Sequence, residues 1–341
     1  MDRRLELLGA PGSPYTRKML ALLRYRHIPH NIIWTGMDKP LPDYPEPKVK
    51  LLPTFYFYDD HGNKEAVVDS TPIIRRLEDV HQPRSVIPDN EALRFIDLLV
   101  EDFADEWLTK AMFHYRWAFA ADANNAGPLL VYWGMPQMPA QEAQKLADSF
   151  SQRQIDRLYV VGSNAVTAQT IEESYVRLLG ILDRRIAASG FILGGRPGSA
   201  DFALYGQLTQ LAIVEPTSAK LAAKHTPRLR AWIDRVDDLS GYDQAPWLAD
   251  NQLGQLSELL QEIGRVYAPF LIANGTALAK GQDMFEAEID GRPWQQPVFA
   301  YQAKCLIALR SAYFALSQDA RKTVDGALAN TGCEVLFAEK N

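Results

Sequence analysis

The sequence has few cysteines and no long apolar run, and these two shortages exclude several classes of protein. Its 341 residues include two cysteines, Cys305 and Cys333, which are too few for a disulfide framework or a thiolate metal site. No run approaches the roughly 18 apolar residues of a membrane-spanning helix, and the N-terminal MDRRLELLGAPG breaks before any apolar stretch long enough for a signal peptide. We therefore expect a cytoplasmic protein without membrane association.

The sequence also lacks clustered basic charge and clustered metal ligands. It has 36 Lys and Arg residues against 42 Asp and Glu, a formal net charge of -6, and no dense basic tract of the kind that binds a phosphate backbone. His27 and His30 have no further ligand residues close by in sequence. We therefore expect no nucleic-acid partner and assign no metal.

The length and the succession of patterns predict an α+β protein of two domains. Apolar, aromatic and β-branched runs at 4–8, 32–34, 55–58 and 66–68 predict four strands. Helix-start sequences follow the first and the last of these runs. Residues 1–80 are therefore predicted to form a βαβ-ββα unit.

From residue 90 to residue 341 the pattern becomes almost wholly helical and predicts an all-α bundle. Long helical patterns cover 91–121 and 167–188. Residues 122–163, rich in Gly, Pro and Asn at their start, are expected to be an irregular insertion, and 240–341 a C-terminal extension. Within the extension, an Asp-Gly turn predicts a β-hairpin over 285–298.

Three motifs within the first 80 residues carry a family resemblance. The segments 9–18 (GAPGSPYTRK), 51–55 (LLPTF) and 68–74 (VDSTPII) resemble, in order, the active-site turn, the cis-proline segment and the acidic-plus-serine motif of glutathione S-transferases. The resemblance is to cytosolic, bacterial-like members whose catalytic residue is serine. It implies a thioredoxin-like glutathione-binding domain followed by a helical substrate-binding domain, here with an extended C-terminal region.

A fourth segment, 195–202 (GRPGSADF), resembles the folding motif of the helical domain in the same family. In that motif a hydroxyl residue caps a core helix, and an Asp three residues later completes a capping box. Here Gly198 occupies the cap position and has no side-chain acceptor, although Asp201 is present. We therefore expect a weakened capping box.

The resemblance implies that Ser13 is the catalytic residue. The thiol of glutathione, like that of cysteine, has a pKa near ~8.5, so an enzyme must stabilise its thiolate. Ser13 would donate its hydroxyl proton to the sulfur at the positive end of the helix that Pro14 begins. Considered alone, the Ser13-Pro14 pair favours an ordinary N-cap followed by proline at the first helical position, and only the other two motifs turn the balance toward catalysis. Thr16 offers a second hydroxyl nearby.

The same resemblance implies the glutathione ligands. Leu52 would offer its backbone if the bond to Pro53 is cis, whereas a trans proline opening an edge strand is the alternative. Asp69 would pair with the γ-glutamyl ammonium, and Ser70 would bind the neighbouring carboxylate, unless both residues do no more than cap a helix. Tyr15 is within reach of the site, although its apolar helix stripe favours core packing.

A second-substrate pocket is expected between the two domains, where apolar walls gather. An aromatic stripe at helical spacing usually belongs to a helix-bundle core, which is the alternative for these side chains. His114 and Arg116 are candidates for contact with an anion, and a solvated helix face is their alternative. The pocket candidates on the long helical pattern are Phe103, Trp107, Phe113, His114 and Trp117.

The resemblance leads us to expect a glutathione transferase that acts in detoxification. It would use glutathione as co-substrate and act on a small, hydrophobic electrophile. Two alternatives stay open: a glutathione-dependent disulfide reductase, and a non-catalytic binding scaffold of the same fold. A mechanism through a protein thiol is excluded for the N-terminal domain, because residues 1–304 contain no cysteine. The family resemblance also implies a homodimer.

Overall fold

The computed structural model describes residues 4–34, 41–59 and 61–338. It has an α+β architecture in which a thioredoxin-like unit with a small mixed sheet precedes a larger helical part, as the sequence predicts. Within those ranges, no helix combines the length and the apolar content needed to cross a bilayer.

The N-terminal unit is built on a four-stranded sheet of order β2-β1-β3-β4. β1 and β2 pair in parallel, and the other two pairs are antiparallel. Apolar side chains such as Leu7, Met19 and Phe55 are buried between the sheet and its helices. This arrangement confirms the predicted βαβ-ββα order. Its elements are β1 (Leu5–Gly9), α1 (Pro14–Tyr25), β2 (His30–Trp34), β3 (Thr54–Tyr58), β4 (Lys64–Val67) and α2 (Ser70–Val80).

Eight helices follow, and the single pattern predicted over 91–121 divides into helices that break at Trp107 and Phe119. A π-helical turn, Gln210–Val214, joins the sixth of the eight to the seventh. The helices are α3 (Glu91–Glu106), α4 (Leu108–Ala118), α5 (Ala120–Gly134), α6 (Ala140–Ile155), α7 (Ala168–Ser189), α8 (Ser199–Thr209), α9 (Pro216–His225) and α10 (Pro227–Val236).

The irregular structure predicted for 122–163 is wrong, because α5 and α6 occupy most of this segment. The two helices approach closely through small residues: Ala143 and Ala147 are buried beside Val131, and a methyl group on Gly127 would lie 2.4 Å from the Ser151 hydroxyl. Small residues contribute little to a helical pattern of apolar residues, so the sequence here does not indicate a helix. The same small residues allow the two helices to pack closely.

The C-terminal part is ordered and packs against α3 and α4. Its predicted hairpin is confirmed as an antiparallel pair with the Asp290-Gly291 turn between its strands. Cys305 and Cys333 are both buried free thiols. The elements are α11 (Ser257–Glu262), α12 (Ala268–Ala279), β5 (Met284–Ile289), β6 (Arg292–Pro297), α13 (Ala300–Phe314) and α14 (Gln318–Leu328), with short 3₁₀ turns at Asp250–Leu256 and Cys333–Leu336 and a π-helical turn at Ile263–Tyr267. A further 3₁₀ turn, Leu158–Val161, lies between α6 and α7.

The N-terminus of α8 shows how the fold compensates for the missing cap side chain. Asp201 accepts a hydrogen bond from the Gly198 N–H over 2.9 Å, which is one half of a capping box. Asp97 of α3 supplies the missing acceptor, since its carboxylate accepts from the Ala200 N–H over 3.1 Å and from the Ser199 hydroxyl over 2.5 Å. A methyl group at position 198 would lie 2.4 Å from Asp97 Oδ1, so a larger residue there would displace this carboxylate. Burial raises the pKa of Asp97 to about 7.

Candidate active site

Ser13 lies at the N-terminus of α1, half-buried, with its hydroxyl between two backbone groups. Its Oγ accepts a hydrogen bond from the Thr16 N–H over 3.2 Å and donates one to the Leu52 carbonyl oxygen over 3.3 Å. The first bond is the N-cap interaction of the alternative interpretation. The N-cap position puts the hydroxyl at the positive end of the helix dipole, and the second bond puts it beside the backbone of a neighbouring loop. In this setting the hydroxyl can donate to an anion.

The turn that carries Ser13 is held in place by the helical part. Arg116 of α4 donates to the Gly12 carbonyl oxygen over 3.1 Å, and Gln210 donates to the Pro11 carbonyl oxygen over 3.3 Å. Arg116 also binds Glu215 over 2.5 Å and Gln210 over 2.7 Å. All three side chains are buried. The solvated helix face suggested for Arg116 is therefore wrong, because its guanidinium is a buried clamp on the turn.

The Leu52–Pro53 peptide bond is cis, as the family resemblance implies. Pro53 is buried and Leu52 is half-buried, with the Leu52 carbonyl oxygen directed at Ser13. The structure thus brings two of the predicted motifs together.

Ser70 begins α2 and is bound to a buried lysine that the sequence analysis did not assign. The Lys18 ammonium donates to the Ser70 hydroxyl oxygen over 2.9 Å, to Glu101 over 2.8 Å and to Asp105 over 2.6 Å. Burial opposes the charge of Lys18, but the two carboxylates outweigh it and raise the pKa of Lys18. Burial likewise opposes ionisation of Glu101, yet Lys18 and Arg75 lower its pKa to about 2. Because Ser70 accepts from Lys18, its own proton remains available to a ligand carboxylate.

Asp69 precedes Ser70 and adopts a positive φ of 82°, which is rare for a residue with a side chain. Its side chain makes no capping bond to α2. Instead, Oδ2 accepts a hydrogen bond from the hydroxyl of Tyr301, on α13, over 2.7 Å. The C-terminal extension therefore reaches the predicted ammonium site.

Tyr15 lies on the other side of α1 from the Ser13 hydroxyl. Its own hydroxyl lies 2.7 Å from the Asp105 carbonyl oxygen and 2.7 Å from Thr109 Oγ1, at the junction of α3 and α4. Burial raises the pKa of Tyr15 well above its usual range. This placement agrees with the core-packing alternative.

Two of the pocket candidates are core residues. Phe103 packs edge-on against Tyr267, and Trp107 packs against Phe270 and Trp294, all at centroid distances between 5.3 and 5.8 Å. Phe103 and Trp107 are buried under the C-terminal extension. The structure therefore does not bring them to Ser13.

His114 is also remote from the Ser13 turn. Its Nδ1 lies 2.8 Å from the Ser163 hydroxyl and its Nε2 lies 3.2 Å from a Glu172 carboxylate oxygen. Burial lowers the pKa of His114 although Glu172 opposes that change. The imidazole thus joins α4 to α7 and has no contact with the predicted glutathione ligands.

A half-buried apolar wall stands beside the Ser13 turn and comes mainly from α5. A methyl group placed on Gly12 would lie 2.3 Å from Leu130 Cδ2 and 2.9 Å from Trp133 Cζ3, so both side chains press on the turn. Phe113 and Leu130 pack on the buried Trp117. Of the predicted pocket candidates, Phe113 belongs to this wall, whereas Trp117 is a core residue buried behind it.

Several of these groups were not predicted from the sequence, for identifiable reasons. Lys18 lies inside a quoted motif, and the acidic residues Glu101 and Asp105, four apart on an apolar helix, were a signal that a buried cation faces them. Leu130 and Trp133 were hidden in the segment predicted to be irregular. No local signal connects Tyr301 to Asp69, which is 232 residues away.

Comparison with known families supports both parts of the molecule. A model described as "Glutathione S-transferase, N-terminal domain" matches residues 7–85, and one described as "Glutathione S-transferase, C-terminal domain" matches residues 152–235. Residues 86–151 and the region beyond 235 lie outside both matches. No curated protein matches the chain.

Solved structures with detectable similarity include three bacterial proteins. A glutathione S-transferase from Methylobacterium radiotolerans, in complex with glutathione sulfonate, is 15% identical, with a TM-score of 0.35, over 72% of this chain and 98% of its own. A beta-etherase from Sphingobium sp. strain SYK-6 is 17% identical, with a TM-score of 0.44, over 69% and 95%. A glutathione transferase from Pseudomonas putida, with glutathione disulfide bound, is 15% identical, with a TM-score of 0.39, over 71% and 88%.

Proposed function

The chain belongs to the glutathione S-transferase superfamily, and on that premise we propose that it binds glutathione and activates the thiol for attack on a hydrophobic electrophile. The observation that carries the proposal is the position of the Ser13 hydroxyl, half-buried at the N-terminus of α1 and 3.3 Å from the Leu52 carbonyl oxygen. A hydroxyl in this position can donate to a thiolate where the helix dipole also favours negative charge.

In the proposed reaction, the glutathione thiol loses its proton to water and the Ser13 hydroxyl turns from Leu52 to the sulfur. The thiolate attacks the electrophilic carbon, a carbon–sulfur bond forms, and the leaving group departs with the electron pair of the bond that breaks. Ser13 keeps its proton throughout. A hydrogen bond to a charged group contributes about 1.5–3 kcal/mol, which corresponds to a thiol pKa lowered by about 1–2 units.

The glutathione backbone would lie along Leu52, whose N–H and C=O can pair with a peptide-like ligand. The Ser70 hydroxyl would donate to the γ-glutamyl carboxylate while its oxygen accepts from the buried Lys18, which directs the hydroxyl proton toward the ligand. Asp69 would accept from the γ-glutamyl ammonium. The second substrate would contact the apolar wall of Phe113, Leu130 and Trp133.

We extend the proposal to the domain organisation, the oligomeric state and the cellular role of the protein. Residues 1–80 would be the glutathione-binding domain and residues 90–341 the substrate-binding domain, with 122–163 as an insertion and 240–341 as an extension. The protein would work as a cytoplasmic homodimer in detoxification, an EC 2.5.1.18-like activity. Sedimentation of the purified protein tests the assembly, and a single species of monomer mass would contradict it.

The experiment is calorimetric titration with glutathione together with a conjugation assay on an aryl halide, for wild type and Ser13→Ala. Ser317, the N-cap of α14, provides a matched control because its side chain also accepts from a helix N–H, at Ala320. Both alanine variants lose a cap of about 1 kcal/mol, but only Ser13→Ala is expected to lose turnover while still binding glutathione. A wild-type protein that binds no glutathione would contradict the transferase proposal.

A further inference from the structure

The C-terminal extension places one side chain directly on a predicted glutathione ligand. Tyr301, on α13, donates its hydroxyl proton to Asp69 Oδ2 over 2.7 Å. The phenol ring is 38% exposed and Asp69 is half-buried, so the pair stands at an open edge of the site. A ligand can therefore reach the pair from solvent.

The bond orients a carboxylate that has no other hydrogen-bond donor in the part of the chain that the structure describes. Asp69 has a positive φ of 82°, and its side chain makes no bond to the N-terminus of α2. Among the residues that the structure describes, Tyr301 is the only hydrogen-bond donor to this carboxylate. A carboxylate offers about four lone-pair positions, so Oδ1 remains free for a second donor.

The surroundings keep Tyr301 a hydrogen-bond donor, and the described residues give Asp69 no ion-pair partner. Burial raises the pKa of Tyr301 far above its usual range, and Asp69, Cys305 and Glu106 raise it further, so the phenol stays protonated. The nearby cation, Lys18, is already bound to its own two carboxylates. An ammonium group arriving at Asp69 thus meets a carboxylate that Tyr301 orients and that has no cationic partner among the described residues.

We propose that Tyr301 is a positioning residue of the glutathione site, which orients Asp69 to receive the γ-glutamyl ammonium. This inference rests on the proposed function of the same site. It assigns the C-terminal extension a direct part in recognition of the amino end of glutathione. The Tyr301 hydroxyl would raise the affinity for glutathione without contacting the reacting sulfur.

The test is the dissociation constant of two ligands, glutathione and glutaryl-cysteinyl-glycine, which lacks the amino group. Both are measured by calorimetry on full-length wild type, Tyr301→Phe and Tyr313→Phe. Tyr313 lies on the same helix and donates to Asp325 over 2.5 Å, so its phenylalanine variant is a matched control. Each substitution keeps the aromatic ring and removes one hydroxyl, which limits any effect on folding.

We expect Tyr301→Phe to bind glutathione about tenfold more weakly than wild type and to bind the desamino analogue unchanged, as loss of one charge-assisted hydrogen bond predicts. In turnover, the KM for glutathione rises while kcat stays the same. Tyr313→Phe should match wild type with both ligands. Unchanged or tighter glutathione binding by Tyr301→Phe, or equal weakening of both ligands, would overturn the inference and leave the proposed function standing. Failure of wild type to bind glutathione would overturn both.

Discussion

Arg116 offers a stringent test of how the helical part supports the catalytic turn. Its guanidinium is 6% exposed and joins the Gly12 carbonyl oxygen to Gln210 and to Glu215, whose own side chain is 0% exposed. Replacement by methionine keeps much of the side-chain volume and removes all three bonds. The change therefore has two separable consequences: Glu215 loses its counterion, and the turn before Ser13 loses its clamp.

The two consequences differ in their effect on stability and in whether a second substitution reverses them. Breaking a buried ion pair from one side costs about 3–5 kcal/mol because the remaining charge is uncompensated, which is a large part of a typical stability of about 5–15 kcal/mol. In the double variant Arg116→Met/Glu215→Gln that charge is absent, so we expect at least about 2 kcal/mol of the loss to return. The Gly12 carbonyl oxygen still lacks its donor, so Ser13 should remain misplaced.

The assay is urea denaturation followed by tryptophan fluorescence, paired with an ultraviolet titration of bound glutathione. We expect the single variant to be strongly destabilised and the double variant to recover, while both show a thiol pKa closer to that of free glutathione. A double variant as unstable as the single one would refute the assignment of the loss to Glu215. A double variant with the wild-type thiol pKa would refute the clamp.

Two further predictions use pH and packing. Burial, with Asp102, raises the pKa of Glu106 from 4.5 to about 8. Between these two pH values the folded protein holds a proton that the unfolded chain releases. The free energy of unfolding therefore falls as pH rises from about 4.5 to about 8. In urea denaturation at a series of pH values, Glu106→Gln should reduce this fall in the free energy of unfolding by up to about 1.4 kcal/mol per pH unit. Parallel plots of the free energy of unfolding against pH for variant and wild type would be inconsistent with a buried acid at this position. Gly12→Ala should cost about 1–3 kcal/mol and slow turnover because its methyl group meets Leu130. Gly241→Ala is its control, with open space around the added methyl, and equal effects of the two substitutions would count against the wall.

Local patterns predicted the N-terminal unit well because its elements are short, consecutive and separated by strong turn residues. The strands β1 and β3 follow from apolar and aromatic runs, and the α1 start follows from Ser13 and Pro14. The hairpin at Asp290-Gly291 was predictable for the same reason. In each case the decisive interactions lie within a few residues of one another.

The remaining features depend on contacts between distant segments, which a periodic pattern does not encode. The sequence spacing of Phe103 and Trp107 is the same whether these side chains face a pocket or a helix-bundle core. They are core residues because the C-terminal extension covers them. Arg116 looks like a surface charge until the buried Glu215 is placed beside it. Pairing across a hundred residues or more is set by tertiary packing.

The ultraviolet titration of the glutathione thiolate on wild type and on Ser13→Ala tests the central claim most directly. The account predicts that wild type lowers the thiol pKa by about 1–2 units and that Ser13→Ala binds glutathione but leaves the thiol near its solution value of about 8.5. An equal thiol pKa on both proteins would contradict it, and Ser13 would then be a helix cap without a catalytic role.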